Sequence, residues 1–151
     1  RDSSTSRGLG DVYKRQGPSN PYTLRKGHIM MEQAKIDFLR TYLSLYIDHF
    51  TVLHALQAGD QTYEVLDVRN APTQAKKVQI KGARAMPAKD LVTKLDQLDQ
   101  QKTYVVYDWT SGTTLGKQAL LILLSHGFKA FELAGALEGW QGMNLPVEPA
   151  H

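Results

Sequence analysis

The stretch Tyr104-Val105-Val106-Tyr107-Asp108-Trp109-Thr110-Ser111-Gly112-Thr113-Thr114-Leu115-Gly116-Lys117 decides how this chain folds. Its first four residues are β-branched or aromatic with no polar break, the mark of a strand covered on both faces. From Lys117 the chain is strongly apolar to His126 and stops at Gly127, which reads as a helix. The loop between them is built from small, hydrogen-bonding residues, whose backbone amides can converge with the helix N-terminus into an anion cradle. A nucleotide phosphate loop needs four residues between its glycines and a Ser or Thr after its lysine. Here Gly112 and Gly116 enclose three, and Gln118 follows Lys117, so the spacing argues against nucleotide binding. The plain alternative is a short loop closing a βα unit, with Gly116 allowing tight entry into the helix.

On either side of this stretch the same alternation of strands and helices repeats. Tyr63 to Val68 reads as a buried strand, Ala71 to Lys77 as a polar helix or loop, and Ala88 to Leu98 as a helix carrying Leu91, Leu95 and Leu98. Lys129 to Leu133 is a further strand and Leu137 to Gly142 a short helix. Upstream, Ile36, Leu39, Leu43, Tyr46, Phe50 and Leu53 recur at spacings of three and four, predicting a long amphipathic helical region whose stripe packs on the sheet. Asp48 or Thr51 caps a second short helix through Leu56, ending at Gly59. The pattern predicts one α/β domain over residues 32–148, with a central, mostly parallel sheet and helices on both faces. In such sheets the functional end lies beyond the carboxyl ends of the strands, where Asp67 and Asp108 both sit.

Composition narrows the function. The 151 residues include no cysteine, which excludes disulfides, thiolate metal sites and a thiol nucleophile. The net charge is +3, but residues 1–29 carry six basic and two acidic side chains, leaving the remainder at −1. A domain so nearly neutral is not expected to bind nucleic acid. The longest apolar run, Ala119 to Leu124, is too short to span a membrane, so a cytoplasmic protein with no membrane association is expected. Residues 1–31 read as a disordered, partly non-native tail. Within it, Asp11 to Gln16 back-translates to GAT GTG TAT AAG AGA CAG, similar to a transposon end used in sequencing libraries, which makes Met30 or Met31 the better start.

The order of several short motifs then carries a resemblance. Leu66-Asp67-Val68-Arg69, Ile80-Lys81-Gly82-Ala83 with Pro87, the strand and loop from Tyr104, Gly127-Phe128, Leu133-Ala134-Gly135-Ala136-Leu137 up to Trp140, and Leu145-Pro146-Val147 together resemble a rhodanese-like domain, the sulfurtransferase fold. The resemblance implies a loop that opens with a catalytic cysteine, which accepts a sulfur atom as a persulfide held by loop amides and the helix N-terminus. The matching residue is Asp108, and residues 109–116 also lack the family's loop arginine. A carboxylate cannot carry sulfane sulfur. The resemblance thus implies the fold without the reaction: a non-catalytic, pseudoenzyme module that binds or regulates, with a protein partner or a small anion as its ligand and no cofactor.

The active-site-like loop is Asp108, Trp109, Thr110, Ser111, Gly112, Thr113 and Thr114, supported by Asp67 and Arg69. Asp67 and Arg69 are expected to fix the loop after their strand by hydrogen bonds and charge. An aspartate at position 108 carries its anionic oxygens as many bonds from the β-carbon as a persulfide sulfur, so amides between Thr110 and Gly116 are expected to donate to it. Two other readings stay open at this point. Asp108 could act as the nucleophile of a small phosphate or ester hydrolase, although the second aspartate usual two residues on is Thr110. Alternatively the chain is a sulfurtransferase relative with residual function that lost its cysteine, an exchange needing two base changes. His28, His49, His54, His126 and His151 show no metal-ligand spacing. Trp140 reads as core, and Trp109 as an exposed aromatic anchor.

Overall fold

A computed structural model of the chain describes residues 30–151. They fall into two compact units divided after Arg40. In the first, the described residues 30–40 are helical, with a Glu32–Lys35 ion pair at 3.8 Å and a Gln33 to Asp37 hydrogen bond of 2.9 Å along the helix. This helix, α1 (Met30–Ser44), includes Met30 and Met31, the last two residues of the expected tail, and the rest of that tail lies outside the described residues.

The second unit is built on five parallel strands. After β1 (Tyr46–Ile47) and α2 (His49–Gln57) come β2 (Tyr63–Asp67), α3 (Thr73–Lys76), β3 (Val78–Ile80), β4 (Arg84–Ala85) and α4 (Ala88–Leu91). A 3-10 turn (Leu95–Gln97) leads to β5 (Thr103–Tyr107), α5 (Leu115–Ser125), β6 (Lys129–Leu133), α6 (Ala136–Gly142) and β7 (Val147–Pro149). The sheet order is β1-β6-β5-β2-β4, and β3 pairs antiparallel with β7 as a separate ribbon. The unbroken apolar run of β5 has its expected cause. Tyr104 and Val106 face a core shared with Leu91, Leu120 and Leu123 from α4 and α5, while Val105 and Tyr107 face a second core with Val52, Leu137 and Trp140 from α2 and α6. Each fully buried aliphatic side chain here contributes roughly 1.5–3 kcal/mol. Asp48 caps α2 by accepting from the Phe50 and Thr51 amides, and Gly127 takes the left-handed conformation (φ 81°) that ends α5.

The continuous helical stripe from Ile36 to Leu53 is not observed. It breaks at Tyr46 and Ile47, which join the sheet as an edge strand because Leu45 and Ile47 carbonyls accept from the Glu132 and Ala134 amides. Leu43, placed by the stripe against the sheet, is 68% exposed. The helix expected from Ala88 to Leu98 also divides. Thr93 folds its hydroxyl and amide back onto the Asp90 carbonyl, and Lys94 leaves helical geometry (φ −118°). Leu91 and Leu98 are nonetheless buried. Strand pairing runs on to Pro149, and the Ala150 amide donates to the Lys77 carbonyl, so ordered structure continues past residue 148. Among the described residues, no helix is long and apolar enough to cross a membrane.

Candidate functional site

The carboxyl end of β5 opens directly into the loop of residues 108–114, all within the second unit. Asp108 is fully buried. Its Oδ1 accepts from the Trp109 amide at 2.7 Å, and its Oδ2 from the Leu115 and Gly116 amides at 2.8 and 3.3 Å. The last two are the first amides of α5, which no preceding turn can satisfy. Thr114, the residue at the cap position, makes no side-chain capping bond, so Asp108 caps the helix from seven residues upstream. The carboxylate is also fixed through its backbone. The first amides of α6, on Leu137 and Glu138, donate to the carbonyls of Asp108 and Trp109 at 3.1 and 3.0 Å.

The rest of the loop serves itself. The Thr113 amide and hydroxyl donate to the Thr110 carbonyl, and the Thr110 amide donates to Thr113 Oγ1. Ser111, Gly112, Thr113 and Thr114 are exposed. The expectation that Thr110 and Thr113 amides reach Asp108 is therefore corrected: the turn consumes them, and the donors are Trp109, Leu115 and Gly116. Lys117 does not enter the loop. Its Nζ donates to Glu132 Oε1 at 2.9 Å and to the Tyr46 hydroxyl at 2.5 Å, which removes it from any role over a phosphate. Burial disfavours this ammonium, but its bonds to Tyr46 and Glu132 outweigh that and hold its pKa above the ordinary lysine value.

Asp67 and Arg69 meet behind the loop in a buried bidentate pair, with Nε to Oδ1 at 2.9 Å and Nη2 to Oδ2 at 2.6 Å. Arg69 Nη2 also donates to the Val78 carbonyl at 2.7 Å, tying β2 to β3. Burial works against its charge, and the Asp67 carboxylate more than offsets this, so the guanidinium pKa is raised. The Trp109 ring lies over this guanidinium, 4.4 Å from ring centre to Cζ, and is partly exposed on its outer side. Tyr107, whose phenol is pushed up by burial, accepts from the Ile80 amide beside the same pair. Asp108, Trp109, Asp67 and Arg69 are thus gathered at one end of the sheet, whereas Ser111 to Thr114 face away.

Two contributors escaped the sequence. Lys76 is buried with Nζ 3.9 Å from Asp67 Oδ2, and nothing in the polar run from Ala71 to Lys77 distinguishes it from an exposed neighbour. Glu132, buried in β6, does leave a trace as a lone acid inside an apolar strand. Gly116 is explained by it: a Cβ there would lie 2.6 Å from Glu132 Oε2. Trp140 is core, as expected. Among the described residues, no three His, Asp or Glu side chains are grouped to hold a metal ion.

Comparison with known proteins agrees with this geometry. A family model described as the rhodanese-like domain matches residues 51–143. A crystal structure of a protein from Lactobacillus plantarum is 70% identical, with a TM-score of 0.75 over 77% of this chain and 98% of that one. The crystal structure of a full-length protein from the same organism is 69% identical, with a TM-score of 0.76 over 78% and 98%. The rhodanese-like domain of the Alr3790 protein from Anabaena, solved in solution, is 31% identical, with a TM-score of 0.59 over 69% and 78%. Among curated proteins, none matches.

Proposed function

The chain belongs to the rhodanese-like family, and from that premise we propose that it is a non-catalytic member, a binding or regulatory module in which Asp108 permanently occupies the cradle where relatives hold a reactive sulfur. The observation that carries this reading is the Asp108 carboxylate itself, fully buried and accepting from three amides in a chain with no cysteine. Sulfur transfer needs a side-chain atom able to form and break an S–S bond, and a carboxylate oxygen is not one. The same burial speaks against Asp108 as a hydrolytic nucleophile, since both oxygens are engaged and no surface is open to a substrate. What remains available to a partner is the exposed rim, from the outer face of Trp109 through Ser111 to Thr114.

The test is a thiosulfate to cyanide sulfur-transfer assay on the purified chain, its sequence verified by mass spectrometry. The expected rate equals the buffer control. Asp108→Cys restores only slight turnover, because residues 109–116 contain no cation to lower the thiol pKa. Turnover by the unaltered chain would overturn the proposal.

A further inference from the structure

The charges beneath Trp109 do not balance. Asp67 faces two cations, Arg69 at 2.6 Å and Lys76 at 3.9 Å, and all three side chains are at most 3% exposed. One carboxylate against two cations leaves this buried cluster a single positive charge in excess. Its hydrogen bonds are also incomplete. Arg69 spends Nε and Nη2 on Asp67 and Val78, while Nη1, fully buried, has no hydrogen-bond partner among the described residues. No described residue accepts a hydrogen bond from Lys76 Nζ, whose one ion pair is the long contact to Asp67. The orphaned guanidinium N–H is costly in a protein interior. A negative charge with two acceptor atoms relieves it and meets the Lys76 ammonium as well.

We propose that Arg69 Nη1 and Lys76 Nζ form a binding site for a small carboxylate-like monoanion, covered by the Trp109 ring. The site is separate from the loop cradle, whose donors Asp108 already consumes. Its single excess charge selects a monoanion over sulfate or phosphate, because a second negative charge would be buried without a partner beside Asp67. Access needs only a rotamer change of Trp109. The ring is partly exposed and is held to the guanidinium by stacking, whereas the anchoring bonds of this residue are made by its backbone. The ligand is a free small carboxylate; an acidic side chain on a partner protein is the other source of the same group.

The experiment is an NMR titration of the full chain with sodium formate at constant ionic strength, following the two tryptophan indole N–H signals. The Trp109 signal is expected to shift saturably, while that of Trp140, bonded to the Pro146 carbonyl, and the Leu115 and Gly116 amides stay still. Sulfate produces no saturable shift. Lys76→Met weakens formate about tenfold, the order expected for one charge-assisted hydrogen bond, and Lys76→Arg restores it. A short peptide with internal glutamates shifts Trp109 no more than sodium chloride does; a stronger shift than formate's would overturn the free carboxylate as ligand. The site itself is overturned by the lack of a saturable Trp109 shift in the unaltered chain, or by an undiminished one in a folded Lys76→Met protein. Movement of the Leu115 and Gly116 amides instead would count against the filled cradle of the proposed function, not against this site.

Discussion

At position 108 one side chain stands for two things, a ligand and a cap. An aspartate N-cap stabilises a helix by satisfying amides that water would otherwise solvate, and Asp108 does this from the preceding strand end, inside the protein. Burial makes the arrangement sensitive to chemistry as well as to shape. Removing the carboxylate leaves the Trp109, Leu115 and Gly116 amides without an acceptor in a site closed to solvent. Asp108→Ala is therefore expected to destabilise the domain by about 2–3 kcal/mol in urea unfolding. Asp108→Asn keeps the shape and one acceptor oxygen but turns an NH2 toward a donor, and should lose about half as much. Equal stability of all three proteins would mean that the amide bonds contribute nothing net. Arg69 shows the complementary case: the pair with Asp67 sits at zero exposure, well outside the regime in which ion pairs contribute little.

The helix that Asp108 caps is held at a second point. Lys117 reaches from its first turn to Glu132 in β6 and to Tyr46 in β1, so one ammonium joins α5, a central strand and an edge strand of only two residues. Lys117→Met strands the Glu132 carboxylate, which is 1% exposed. The expected loss is about 1–3 kcal/mol, discounted because Lys117 itself is 38% exposed. Replacing both, with Glu132→Met added, should recover most of it, since no buried charge then remains. Thermal unfolding of the single and double variants checks this, and an additive double variant contradicts it. At this scale the sequence was most readable where a period ran long enough to be sampled. β2, β5, β6, α5 and α6 were each legible within a few residues, and the βα loop pointed to the site. The elements of two to four residues carried no period, so β1 was absorbed into a helical stripe and β3, β4 and β7 went unseen. Lys76 was illegible for a different reason: its burial depends on Asp67, nine residues away, and no local pattern encodes that.

Across the second unit, the parallel strands deliver Asp67 and Asp108 to the same sheet end, yet their environments differ. Asp67 is surrounded by cations, Asp108 by neutral amides. The Asp108 carboxylate takes up the amides of its loop from within, and Trp109 and Ser111 to Thr114 are exposed beside it. Whether Asp108 acts as the cradle's own ligand is decided by titrating thiosulfate into the unaltered chain and into Asp108→Ala while following the Leu115 and Gly116 amides by NMR. Both amides should stay unmoved in the unaltered chain and shift saturably in Asp108→Ala, as the freed donors take up the anion. Equal shifts in the two proteins, or none in a folded Asp108→Ala, would contradict it.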